Sequence, residues 1–361
     1  MAPTMSIPHL LVAVSAHGFG HFAQVAPVVN ALRRRNPALR VTLRTALPRA
    51  LLATRLTHDF ELVSSAADFG LRMHTAFDVH VAASLRDYLE ILSQWDERVA
   101  NEARLLRELR PDLVLANIPF FTLAGAALAH IPAVALGSLN WAAILHYYFR
   151  AIPAAGELLE KILFAYNQSE LFIRPTPSMP MLDIPRQRVV GPIATLGARR
   201  SDEIRTRLGV NATTKIALVT PGGIETAREP SGWPRHADIV WIVPTPWGLR
   251  RADIAQRADF DWPFQDLVAS SDVVVTKPGY GSIAESVCNG VPLILASRGD
   301  WPEEPYLVAW LKQLNIVQFI DKTQFMTGAM VPEVLASVRP AHAIEATGIE
   351  EAADLLMPFL I

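Results

Sequence analysis

The sequence predicts an α/β fold made of two Rossmann-like domains whose parallel sheets face each other across a cleft. Three observations carry this. Near the amino end an apolar run, residues 10–15, leads into a glycine-bearing turn, Ala16-His17-Gly18-Phe19-Gly20-His21, and then into a helical pattern over 22–35. The same form recurs at residues 273–296, VVVTKPGYGSIAESVCNGVPLILA: a β-branched run, a glycine turn, a helix stopped by Asn289-Gly290, and a second apolar run. Strand, loop, helix, strand is a parallel βαβ unit. Between the two, residues 175–192 are rich in proline, which suits a semi-rigid linker. A chain of 361 residues suits two or three domains. We place the first at 1–190 and the second at 191–343, with a terminal helix at 344–361 returning to the first.

Taken in order, residues 10–15 read as a strand, apolar from Leu10 through Val14 as a strand buried on both faces is. Gly18, Gly20 and Ala23 then fit G-x-G-x-x-A, the loose dinucleotide fingerprint. A nicotinamide enzyme would end its second strand on an acid. The second strand here, 41–45, offers Arg44, which leaves NADP as the form of that reading. Arg33-Arg34-Arg35 closes the first helix and complements its dipole. Residues 60–77 read as irregular. Residues 84–109 read as one long amphipathic helix with Leu85, Leu89, Leu92, Val99, Leu105 and Leu109 on its apolar side. A strand at 113–116 carries Asn117 at its carboxyl end, and a small-residue helix, 124–130, and a strand, 133–136, follow. The stretch 139–149 holds Trp141, His146, Tyr147, Tyr148 and Phe149, a core stripe or the wall of an acceptor pocket. In the second half, 199–208 is a helix, and 215–220 opens the second sheet and runs into Pro221-Gly222-Gly223. A strand at 239–244 precedes Trp247, a candidate for base stacking. Helices follow at 307–314 and 344–359.

Bulk properties exclude several classes. The net charge of −2 and pI near 6.6 argue against a nucleic-acid binder. A single cysteine, Cys288, rules out an internal disulfide framework and fits a reducing, cytoplasmic setting; it reads as core filler. The amino end lacks the basic leading region of a signal peptide. The long uncharged stretch 113–149 is interrupted by Pro119, Pro132, Gly137 and Asn140, so buried strands and helices explain it better than a membrane span. Peripheral membrane contact through Arg33–Arg35 finds no support in further basic runs. His17 and His21 are four apart, but the Glu of H-E-x-x-H is missing, so no metal is expected.

The segment 273–296 admits two readings of Glu285. Ser282-Ile283-Ala284-Glu285 fits a capping box with Ser282 as N-cap. Alternatively the loop amides face a phosphate, and a carboxylate one turn into the helix grips two vicinal hydroxyls. His21 opens a helix, where the positive dipole end favours the neutral, basic imidazole.

This segment resembles the donor-nucleotide signature of GT-B glycosyltransferases, in which a glycine loop, a helix with a Glu and a Gly-hydrophobic-Pro lead to an acidic sugar-binding pair. The spacing of Glu285 and Gly290 is similar to that of the MurG-like enzymes. The HGFGH stretch (17–21), the glycine-tyrosine-glycine loop (279–281) and Glu303-Glu304-Pro305 resemble the glycosyltransferase-like half of plant L-arabinokinase. The resemblance implies a metal-independent, inverting glycosyltransferase. Its co-substrate would be a nucleoside diphosphate sugar, by default a UDP-sugar, and it would need no further cofactor. His21 would be the base facing an unknown acceptor, with His17 beside it and Asn117 where related enzymes carry an Asp. The donor would contact Gly20, Gly222, Gly223, Lys277, Gly279, Tyr280, Gly281, Ser282, Glu285, Glu303 and Glu304. Two other readings stay open: an NDP-sugar epimerase or hydrolase of the same fold, and a non-catalytic nucleotide-sugar binding module. No P-x-x-x-G-L-S-S-S-A phosphate loop occurs, which argues against a sugar kinase.

Overall fold

The structure is a computed structural model that describes residues 7–17, 19–66, 68–75, 77–222, 232–248, 250–340 and 342–360. Gly18 and Gly223 lie outside the described residues. Contacts divide the chain into two units. Unit 1 comprises Met1–Arg72, Val79–Ile193 and Thr347–Ile361; unit 2 comprises Met73–Asp78 and Ala194–Ala346.

Unit 1 is built on β1 (His9–Val14), α1 (Gly20–Arg35), β2 (Arg40–Arg44), α2 (Arg49–Ala53), β3 (Glu61–Val63), α3 (Val81–Ser93), α4 (Trp95–Leu109), β4 (Leu113–Asn117), α5 (Phe120–Ala129), β5 (Ala133–Leu136), α6 (Trp141–Phe149), α7 (Gly156–Asn167), β6 (Leu171–Pro175) and β7 (Gln187–Val190). The strands form one parallel sheet in the order β3-β2-β1-β4-β5-β6-β7. Every residue of β1 and β4 is buried, the signature of central parallel strands covered on both faces. Val14 pairs with Asn117, so both strands end at the same level. The order reverses between β1 and β4, where such sheets open a crevice at their carboxyl ends.

Three expectations need correction here. The proline-rich segment is not all linker, because residues 187–190 form β7 and register Phe172 against Gln187 on β6. Its alternation is too short to read against the prolines. The long helix over 84–109 is two helices, broken at Gln94, whose φ of −108° and ψ of 11° leave the helical region. The irregular stretch 60–77 contains the edge strand β3.

Unit 2 contains α8 (Ser201–Leu208), β8 (Lys215–Thr220), β9 (Ile239–Val243), β10 (Ile254–Gln256), α9 (Phe264–Ser270), β11 (Val273–Thr276), α10 (Tyr280–Cys288), β12 (Leu293–Ala296), α11 (Glu304–Leu314), β13 (Val317–Ile320), α12 (Lys322–Thr327) and α13 (Val331–Ala336). Its parallel sheet runs β10-β9-β8-β11-β12-β13 and reverses order between β8 and β11. The Arg339 guanidinium donates to the carbonyls of Ala269, Ser271 and Asn289 at 3.0, 2.7 and 2.8 Å, satisfying carbonyls at the ends of α9 and α10. Trp247 is 9 % exposed and packs into the core beside Trp233, so its ring is not a stacking platform.

The last helix, α14 (Gly348–Leu356), belongs to unit 1. Ala352, Ala353 and Leu356 join the core that also holds the apolar face of α1, and Glu350 and Asp354 pair with Arg34 and Arg35. These exposed pairs contribute little; the apolar contact does the anchoring. Among the described residues no helix is long and apolar enough to cross a membrane.

Candidate functional site

In unit 1 the switch point gathers His21, Asn117, Gln24, Ser138, Ser15, Trp141 and Asp68. His21 is the second residue of α1, and Asn117 is the last of β4. The His21 Nδ1 lies 2.7 Å from Asn117 Oδ1. The tautomer follows from a chain of donors anchored on the backbone. The Ser138 N–H can only donate, and it donates to Gln24 Oε1 at 3.2 Å. That fixes the Gln24 amide with its Nε2 toward Ser138 Oγ, at 3.2 Å. Gln24 Oε1 also accepts from Asn117 Nδ2 at 3.3 Å, which turns Asn117 Oδ1 toward His21. An acceptor at Nδ1 makes that nitrogen the N–H and leaves the lone pair on Nε2. Burial lowers the His21 pKa below its ordinary value, against the raising effect of the Asn117 hydrogen bond. His21 is therefore a neutral imidazole with a basic Nε2 at physiological pH. Trp141 is fully buried, with its ring centroid 6.0 Å from that of His21 and 5.4 Å from that of His17.

Gly20 stands at the start of α1 with nothing within 4 Å of where its Cβ would be. Arg44 is not available to a 2′-phosphate: it forms a buried ion pair with Glu102 of α4, which removes the NADP reading.

In unit 2 the corresponding switch point carries Gly222, Lys277, Gly279 and α10. Thr276 Oγ1 donates to Thr220 O at 2.7 Å and ties the ends of β11 and β8 together. Gly222 has φ +91°, and a Cβ there would meet Lys277 Cε at 2.9 Å. Only glycine permits both this backbone and the passage of the Lys277 side chain. Burial, and then the nearby Arg298 cation, pull the Lys277 amine down to about 7, with Glu303 acting the other way. The Arg298 guanidinium lies 3.9 Å above the Trp301 ring, whose Nε1 donates to Glu303 Oε2 at 3.2 Å. Two basic side chains thus flank the carboxyl ends of β11 and β12.

The helix α10 begins at Tyr280 with Gly279 as N-cap, and no side chain caps it. Ser282 is consequently inside the first turn, and the expected Ser282–Glu285 capping box is not formed. The first-turn N–H groups, including those of Gly281 and Ser282, point out of the helix start. Glu285 is 2 % exposed, further along the same helix. The Tyr280 ring packs with Ala194, Ala284 and Cys288, in the core rather than at the turn. Burial pushes the Cys288 thiol up to about 12, which suits a core residue. Glu303 and Glu304 divide their work. Glu303 is buried beside Trp301, whereas Glu304 accepts from Ser297 Oγ at 2.6 Å and Arg298 N at 2.9 Å, closing the loop after β12. Among the described residues no three His, Cys, Asp or Glu side chains are grouped as a metal site.

Sequence reasoning missed Gln24, Ser138, Ser15, Asp68 and Arg298. Gln24 lies three residues from His21 on the same helix, a signal that was present. Asp68 was the single acid between Glu61 and Asp78, in a stretch without a readable period.

Two reversed parallel sheets of this kind are shared with solved glycosyltransferases. The calicheamicin glycosyltransferase CalG4 matches with a TM-score of 0.62 at 19 % identity, covering 99 % of both chains. The fold is GT-B. A chain of another activity also matches, the UDP-GlcNAc 2-epimerase of Neisseria meningitidis bound to UDP-GlcNAc, with TM-score 0.56, 15 % identity, and 98 % and 99 % of the chains covered. In sequence, 97 % of this chain is 25 % identical to the L-arabinokinase of Arabidopsis thaliana, and it spans about a third (34 %) of that protein. No family model matches the chain.

Proposed function

We propose that this GT-B chain transfers a glycosyl group from a nucleoside diphosphate sugar, with UDP-sugar favoured, to a hydroxyl or similar nucleophile, with inversion and without a metal. The observation that carries the reading is the His21 tautomer, held from the backbone with Nε2 as the base. His21 Nε2 takes the acceptor proton as the acceptor oxygen attacks the anomeric carbon. The bond from that carbon to the diphosphate oxygen breaks, and the diphosphate leaves with the electron pair. The N–H groups that open α10, with Lys277 and Arg298, supply the positive field a metal supplies elsewhere. Glu285 accepts from the ribose hydroxyls, and Glu303 accepts from the sugar hydroxyls.

A second reading is favoured by Asn117. An amide orients His21 but cannot stabilise an imidazolium by charge, which fits a chain that binds a nucleotide sugar without turning it over. The experiment is a panel of nucleotide sugars and acceptors, with product anomers read by NMR. Transfer with inversion supports the proposal. Release of an epimerised sugar supports the epimerase reading, and tight nucleotide-sugar binding with no product across the panel supports the binding module.

A further inference from the structure

Asp68 lies on the loop after β3, is 5 % exposed, and takes no part in the chemistry above. Both of its carboxylate oxygens face the Ser15 hydroxyl, at 2.7 and 3.0 Å. A hydroxyl has one proton and two lone pairs. With its proton committed to Asp68, the Ser15 oxygen accepts from Ile118 N–H and from Trp141 Nε1–H, each at 3.4 Å. Ile118 follows Asn117, the partner of His21. Trp141 is the ring beside both His21 and His17. The same loop also abuts His17 directly, because a Cβ on Gly70 would meet its ring at 2.1 Å. From the other side the Tyr88 hydroxyl holds the loop by donating to Phe69 O at 2.8 Å.

We propose that Asp68 is a positioning residue: its carboxylate, directly on Trp141 and through Ser15 on the end of β4, holds the His17–His21 face, so that protonating Asp68 loosens the base. This deepens the transfer reading and rests on it for the role of His21. The hydrogen-bond count gives the reason. The ionised carboxylate leaves both Ser15 lone pairs to the two N–H donors. Trp141 Nε1–H also reaches the carboxylate itself, and a protonated carboxyl puts an O–H donor on one of the oxygens that now accept from Ser15 and Trp141, so one of those two donors loses its acceptor. The groups facing Asp68 are Ser15 after β1, Trp141 of α6, Glu102 of α4, Tyr88 of α3 and Tyr166 of α7. Burial pushes the carboxyl up to about 7, the Ser15 and Trp141 hydrogen bonds oppose this, and the Glu102 charge adds to it. Both phenols are held well above their ordinary value, chiefly by burial, and stay neutral.

The test is an NMR pH titration of the ¹⁵N-labelled protein, with the Trp141 indole resonance assigned through Trp141→Phe. In the wild type that resonance should move through an inflection near neutral pH, and the His21 ring signal should follow with the same midpoint. Asp68→Asn should abolish the inflection in Trp141. Ser15→Ala, which keeps the carboxyl and its contact with Trp141, should leave the Trp141 inflection and flatten the response of the Ile118 amide. A wild-type Trp141 resonance that does not titrate, one that still titrates in Asp68→Asn, or an Ile118 amide that still titrates in Ser15→Ala, overturns the proposal. With an active donor in hand, wild-type kcat should fall as pH drops through the same midpoint while KM holds, and Asp68→Asn should be slow and lack that step. The titration needs no substrate, so failure to find transfer would count against the transfer reading alone.

Discussion

The switch points of the two sheets occupy the same topological place and hold opposite chemistry. At β1–β4 the buried titratable groups are an acid and an imidazole, and the side chains are closed on one another by hydrogen bonds. At β8–β11 a buried amine stands with glycines and helix-start amides at the turn. Burial drives Asp68 and Lys277 toward their neutral forms from opposite directions, and both arrive at about 7. The first arrangement suits handling a proton. The second suits receiving an anion, which would restore the ammonium. On the proposed function, one topology would serve two tasks because the strand-end residues differ, not the strands.

The largest expected effect separates the two regions by kind. His21→Ala should lower turnover by roughly 10²–10⁴ and leave UDP affinity unchanged by calorimetry. A matching loss of UDP affinity would erase the division between proton handling and anion binding.

Next in size is Lys277→Met, which should weaken UDP binding by about ten- to a hundredfold, the loss of a charge-assisted contact. The amine titrates at about 7 in the free protein, so it is mostly neutral above that pH. A bound diphosphate favours the ammonium, and binding at mildly alkaline pH should take up a proton. Binding enthalpies measured in buffers of different ionisation enthalpy should then differ for the wild type and agree for Lys277→Met. Agreement in the wild type would mean that Lys277 does not meet the diphosphate.

Glu285→Ala should weaken UDP binding by at least about tenfold if the carboxylate receives the ribose hydroxyls. Because no capping box forms, helix stability gives no alternative account of such a loss; unchanged affinity would leave Glu285 a buried packing residue.

The smallest effect tests whether the first region can be moved toward the charge-rich character of the second. Asn117→Asp places a carboxylate on His21 Nδ1 and should raise the imidazole pKa, which burial now holds low. The base must be neutral to act, so the acid limb of kcat/KM should shift to higher pH. A profile that stays in place would show that residue 117 only orients the ring.

Much of the fold was legible because central parallel strands are apolar at nearly every position and their turns are marked by glycine. The runs at 10–15, 113–116 and 273–276 needed no tertiary information. The edges were not: β3, β7, β10 and β13 are three or four residues long, partly exposed or flanked by proline and turns, and they exist because a neighbouring strand offers a ladder to pair with. The break at Gln94 was hidden because both helices keep an apolar face, so the period runs through it.

The sequence alone determined which residues sit at the strand ends, since a glycine turn after an apolar run is a local signal: His17, His21, Gly222, Lys277 and Gly279 were all readable. Only the tertiary structure decided what those residues are joined to. The His21 tautomer depends on Ser138, 117 positions away along the chain. The Asp68 carboxyl is tied to Ser15, and the Lys277 side chain lies across Gly222. Each link is a hydrogen bond or close contact between strand ends that parallel pairing brings together from distant segments, and no local pattern encodes it.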